Sequence, residues 1–145
     1  MAILLAQQDR YIYGDDRLGV REGDIVFDCG AHVGVYARKA LSAGAKLVVA
    51  VEATPALVEC IRRNLAGEIT QGRVVVSAKG IWDREGALAL FENSSTGAGD
   101  SFVVRGSDTE AIGQIPVTTI DNLVSELELP GVDFIKADVQ GAPKE

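Results

Sequence analysis

The chain predicts an α/β fold, a three-layer sandwich built on a mostly parallel sheet. Three observations predict it. Short continuous apolar runs, each bounded by turn residues, have the pattern of strands buried on both faces. Apolar residues at helical spacing lie between those runs. The connections are short, as βαβ units with right-handed crossovers require.

The elements follow in order. Residues 24–29 hold the run IVFDC, read as the first strand, and a glycine-spaced turn follows at once. Residues 34–43 (GVYARKALSA) carry helix formers, with Gly44 where a C-cap glycine belongs. KLVVAVEA at 46–53 is the second buried strand, and Thr54 with Pro55 supplies an N-cap followed by a first-turn proline. Leu57, Val58, Ile61 and Leu65 then share one helical stripe, which Gly67 is expected to end. RVVVSAKGIW at 73–82 reads as a third strand, and 87–91 as a shorter one. The polar, glycine-rich stretch 92–114 is too long for a routine connection and reads as a functional or disordered loop. IPVTTI leads as a strand into a helix capped by Asp121, with Leu123, Val124 and Leu127 on one side and Pro130 and Gly131 as its stop. VDFIKADV at 132–139 is the last strand.

With 145 residues the chain accommodates one ordinary domain, expected at 23–145 behind a lead-in at 1–22. Its 47% hydrophobic and 24% charged residues fit a cored globular protein. Fourteen Lys and Arg against twenty-one Asp and Glu give a formal charge of −7, which opposes a phosphate backbone and argues against nucleic acid or an anionic membrane as partner. The two cysteines, Cys29 and Cys60, cannot build a multi-bridge framework, so reduced thiols and a cytoplasmic location are expected. The longest apolar runs, MAILLA and KLVVAV, fall well short of the roughly 18 to 20 residues of a membrane span. No basic segment precedes the first of them, so a signal peptide is not expected.

The most informative stretch is DCGAHVG, residues 28–34, at the first strand-to-helix turn. Glycines there let a ligand approach the backbone and permit positive φ, and the amides opening the helix would face an anionic group. The spacing is D-x-G-x-x-x-G, not the G-x-G-x-x-G of a dinucleotide turn. An acid at the strand tip is unfavourable beside a pyrophosphate but suits a cationic ligand bearing an amine and a sulfonium. S-adenosylmethionine is therefore favoured over NAD, with its methionine carboxylate near the helix start. Glu52 ends the second strand about 20 residues on, where an acid is placed to bind ribose hydroxyls. The plain alternative is a tight turn at Gly30 and Gly34 with Glu52 as a solvated strand end.

In FIKADVQG, alternation puts Phe134, Lys136 and Asp138 on one strand face. A lysine and an acid in a buried strand are costly unless paired or used. Either they form an ion pair with each other at the carboxyl edge of the sheet, or Asp138 faces a ligand crevice. His32, the only histidine, reads as a turn residue, a general base, or with Cys29 half of a metal site, two ligands being too few to close one. Cys29 reads as a small strand-end residue within reach of cofactor. Trp82 either packs or stacks on adenine, and Arg62 with Arg63 form a solvated face.

At these residues the chain resembles the FkbM family of S-adenosylmethionine-dependent methyltransferases. GDIVFDCGAHVGVYARKALSAGA resembles the family's first motif, VVAVEATPALVECIRRNL its second, and VTTIDNLV followed by VDFIKADVQGA its later one. The resemblance implies a Rossmann-like class I fold and methyl transfer to an oxygen of a small molecule or sugar. It also implies a cofactor site formed by Asp28, Cys29, Gly30, Ala31, Gly34, Glu52 and Ala53. Asp138, with Lys136 beside it, would be the catalytic pair near the methyl group, and no metal is implied. Ser101 matches a family serine ahead of the threonine-rich strand. The family's Lys-x-Asp-x-Glu-Gly-x-Glu here has Gln140 and Pro143 at the glutamate positions. The chain ends at what would be the fourth strand, and the missing neighbour would leave an open edge suited to a homo-oligomer. A cofactor-binding remnant is the alternative to an active enzyme, and a nicotinamide-dependent oxidoreductase the weaker one.

Overall fold

The computed structural model describes residues 19–90 and 113–138. Its main sheet contains β1 (Ile25–Cys29), β2 (Leu47–Val51), β3 (Val74–Ser77) and β7 (Phe134–Ala137) in the order β3-β2-β1-β7, all parallel. The first three strands step outward from β1. The chain then returns to lay β7 on the other side of β1.

Alternation along the strands assigns the two faces. Val26, Val48, Ala50 and Val74 face α1 (Val35–Ser42) and α2 (Pro55–Asn64), where Tyr36, Ala37, Ala40, Ile61 and Leu65 complete the core. Ile25, Phe27, Cys29, Val49 and Val51 face α4 (Ile120–Glu126) through Leu123, with Ile120, Val124 and Leu127 around it. These are the three expected layers. Fully burying each large apolar side chain contributes about 1.5–3 kcal/mol, and Phe27, Ile61 and Leu65 are fully buried.

Several boundaries differ from the sequence reading. Gly67 does not end the second helix: α3 (Ala66–Thr70) follows directly, with Ile69 packed on the core. The run 73–82 divides into β3 and the two-residue β4 (Gly80–Ile81), which leaves the main sheet. There β4 runs parallel to β6 (Gly113–Thr118), and β5 (Gly86–Leu90) pairs antiparallel with it, forming a small second sheet. Residues 113 and 114, read as loop, thus begin β6. Thr119, rather than Asp121, caps α4, its Oγ1 accepting the Asn122 amide at 3.0 Å. Ser101, Gln140, Pro143, Phe91 at the end of the expected strand 87–91, residues 92–112 of the long polar stretch and residues 1–18 of the lead-in lie outside the described residues.

β7 is not buried on both faces. It pairs with β1 alone among the described residues, and Ile135 is 46% exposed on its outer side. Its start is stitched to β1, since the Ile25 amide donates to Asp133 Oδ2 at 2.8 Å and the Asp133 amide to the Ile25 carbonyl at 2.9 Å.

Gly34 opens α1 at φ 90°, a left-handed conformation that side chains other than glycine adopt at a cost. A Cβ there would also lie 3.0 Å from Leu65 Cδ1. Gly34→Ala is therefore expected to lose about 1–2 kcal/mol of stability, measured as a lower urea midpoint at unchanged slope.

Candidate active site

Because β2 and β7 flank β1 through connections on opposite faces, the chain order switches direction between β1 and β7. In open α/β sheets the crevice beyond the strand ends at such a point is where ligands bind. The structure brings to it the carboxyl ends of β1 and β7, the turn 28–34, and Glu52 just beyond β2.

The turn is held chiefly from β2. The Gly30 and Ala31 amides both donate to the Val51 carbonyl, at 2.9 and 3.0 Å, and the Gly34 amide donates to the Ala31 carbonyl at 2.9 Å. Gly30 has φ 79° and His32 φ 54°, so the chain coils left-handed in this stretch. The amides of Gly30, Ala31 and Gly34 are thus engaged by the protein itself.

Glu52 is buried, 9% exposed, and works on that turn. Its Oε2 accepts the His32 amide at 2.8 Å and its Oε1 the Thr54 amide at 3.0 Å. It is therefore no mere solvated strand end. A carboxylate offers about four acceptor sites, and these two bonds use one on each oxygen, so acceptor capacity for a vicinal diol remains among the described residues. Ala53 beside it is buried against Ile115.

Asp28 has 0% exposure, and neither carboxylate oxygen receives a well-aligned hydrogen bond among the described residues. Its partner is Lys136, directly opposite in the β1–β7 register, with Nζ 3.0 Å from Asp28 Oδ1. Burial pushes the Asp28 carboxyl above its ordinary value, while the Lys136 charge and, less strongly, the Ala37 amide pull it back. Lys136 is itself 5% exposed, donates to the Gly30 carbonyl at 2.9 Å and has the Tyr36 ring centroid 5.8 Å away. Tyr36 in turn stacks on Phe134 at 6.4 Å. The sequence pattern flagged Lys136 as a buried lysine needing a partner and offered Asp138 for an ion pair. It did not name Asp28, because that pairing depends on a register between distant strands.

Asp138 follows β7 and is exposed, its amide donating to the Cys29 carbonyl at 3.0 Å. Its backbone thus stands at the carboxyl edge beside the turn. His32 Nδ1 is buried with no hydrogen-bond partner among the described residues. No group of three or more metal-ligating side chains occurs among the described residues. Cys29 is buried and its thiol is pushed up to about 12 by burial, with the Asp28 charge adding to the rise. A thiol so held is a poor nucleophile. Ellman titration of the native chain at about pH 8 should therefore count one thiol, the exposed Cys60, and a second only after unfolding.

A Rossmann-like parallel sheet with a glycine turn at the first strand end and an acid ending the neighbouring strand is a frame on which nucleotide-containing ligands bind. The Methyltransferase FkbM domain model matches residues 28–143, and the chain belongs to that family. It is similar in fold to the crystal structure of methyltransferase FkbM from Methylobacillus flagellatus KT, with a TM-score of 0.62 and 16% identity over 91% of this chain. The chain spans 30% of that structure's length. A shorter likeness, 34% identical over 39% of this chain and 16% of the other with a TM-score of 0.35, is to Arabidopsis thaliana protein arginine methyltransferase 10. Another is to the Trypanosoma brucei PRMT1 enzyme-prozyme heterotetrameric complex with AdoHcy, 19% identical over 45% of this chain and 22% of the other, TM-score 0.37. No curated protein matches the chain. No helix among the described residues is long and apolar enough to cross a membrane.

Proposed function

We propose that the chain binds S-adenosylmethionine at the β1–β2 edge and supports methyl transfer to a hydroxyl oxygen of a small molecule or sugar. The observation that carries the cofactor reading is Glu52, a buried carboxylate at the switch-point edge that fixes the glycine turn and keeps acceptor sites for a ribose diol. The residues present fit that group. Gly30 and Ala31 keep the turn free of bulk, Gly34 opens the helix, and beneath them Cys29 packs in the core while Asp28, fully buried, has its charge matched by Lys136. The orphaned Nδ1 of His32 is a further polar atom that a ligand would satisfy.

When bound, the cofactor supplies a methyl group activated by a sulfonium. The chain's own residues have three tasks: to orient the acceptor, exclude water and take a proton. Asp138, exposed at the end of β7, is the first candidate to receive the hydroxyl proton on its carboxylate, and His32 the second. The charge of −7 supports a small acceptor over nucleic acid. The edge of β7 that is unpaired among the described residues, with Ile135 exposed, supports self-association of the chain. The exposed thiol of Cys60 fits the reducing cytoplasm.

Incubation with S-adenosylmethionine and a panel of hydroxylated small molecules and sugars tests the reading. Acceptor-dependent formation of S-adenosylhomocysteine is the expected result. Cofactor binding without turnover on any acceptor would favour the remnant reading, which Gln140 and Pro143 at the family's glutamate positions support.

A further inference from the structure

A lysine on a strand ordinarily runs its stem along the surface and leaves the ammonium in water. Lys136 does the opposite. Its side chain is 5% exposed, and its ammonium lies 3.0 Å from Asp28 Oδ1 and donates to the Gly30 carbonyl at 2.9 Å. A buried ion pair is a weak source of stability, since apolar residues of similar volume serve equally well. The strands around this pair are built from such residues, including Val26, Val48, Ala50 and Val74. What an apolar pair would not supply is a donor to the Gly30 carbonyl.

That carbonyl matters because of the peptide to which it belongs. The Gly30–Ala31 peptide crosses the tip of β1: its N–H donates to the Val51 carbonyl on β2 at 3.0 Å, and its C=O is held by Lys136 from β7. The turn is thereby anchored from both neighbours of β1. We propose that Lys136 is a positioning residue of the cofactor turn, holding the Gly30 carbonyl and the Asp28 carboxylate from β7 and so tying the turn to the strand that carries Asp138. The assignment rests on the cofactor reading above and gives Lys136 a role through the turn rather than on the acceptor.

Two variants separate positioning from charge compensation. Asp28→Asn/Lys136→Met removes both charges and so avoids a buried unpaired ion, while Lys136→Arg keeps the cation on a bulkier, planar head. Each is titrated calorimetrically with S-adenosylhomocysteine beside the wild-type chain, and folding is followed by urea melts. The folded variants are expected to bind about tenfold or more weakly than wild type, because the turn is misplaced. Wild-type affinity in either folded variant overturns the assignment.

Should neither variant fold, the wild-type chain answers the same question by nuclear magnetic resonance. Saturation with S-adenosylhomocysteine is expected to shift the Lys136 ammonium nitrogen and the Gly30 carbonyl carbon together. A shift at the Glu52 carboxylate with none at those two atoms overturns the assignment. A wild-type chain that does not bind at all is a different result: it removes the cofactor reading itself, and this assignment with it.

Discussion

Replacing Asp28 with alanine will cost the folded chain about 3–5 kcal/mol, the penalty of leaving a buried charge without its partner. Lys136 would lose the carboxylate that faces it and keep the Gly30 carbonyl and the Tyr36 ring, in a setting too dry to solvate an ammonium. Urea unfolding of the two chains measures the difference. The same burial gives the wild-type chain a pH dependence of definite sign. The folded-state pKa of Asp28 is raised above 3.8, so the folded chain holds this proton more tightly than the unfolded one. That contribution to stability is fully present below 3.8 and is lost as pH rises through the folded-state value. The stability of wild type minus that of Asp28→Asn should therefore fall with rising pH over that window. A difference that rises with pH would contradict the burial argument.

Glu52→Ala carries the second large effect. The mutation strips the His32 and Thr54 amides of their acceptor and removes the carboxylate proposed to bind ribose. Hydrogen bonds to a charged group contribute about 1.5–3 kcal/mol each, so the loss toward the ligand alone corresponds to about a hundredfold in Kd. Glu52→Gln keeps an acceptor oxygen and should lose less. Calorimetry with S-adenosylhomocysteine reads both variants, and equal affinity in Glu52→Ala and wild type would remove Glu52 from the site.

Much of the fold was legible because its signals are local. The runs at β1 and β2 are apolar on both faces because helices cover both sides, so no period-two alternation was needed to find them. Gly44 was legible as a helix stop, and it sits at φ 102° with its amide on the Leu41 carbonyl. Glu52 was legible as a strand-end acid at the right distance from the glycine turn.

What was not legible depends on distant partners. The run 73–82 is uniformly strand-like, yet Ser77 pairs with Val51 in one sheet and Gly80 with Val117 in another, so the break is set by tertiary pairing. Gly67 is a weak stop, and packing of Ile69 on the core overrides it. Thr119 and Asp121 are both good caps, and only the bond to the Asn122 amide decides between them. The Lys136–Asp28 pair exists because β7 settles beside β1 in one register, which no local pattern near either residue encodes. The second role of Glu52, as acceptor for the turn's own amide, was hidden for the same reason: it requires β2 to end level with His32.

Calorimetric titration of the wild-type chain with S-adenosylhomocysteine decides whether this sheet edge is a cofactor site. Saturable binding to one site, weakened in Glu52→Ala while that variant stays folded, is the result predicted. No heat of binding from a folded wild-type chain, or binding indifferent to Glu52, would contradict it.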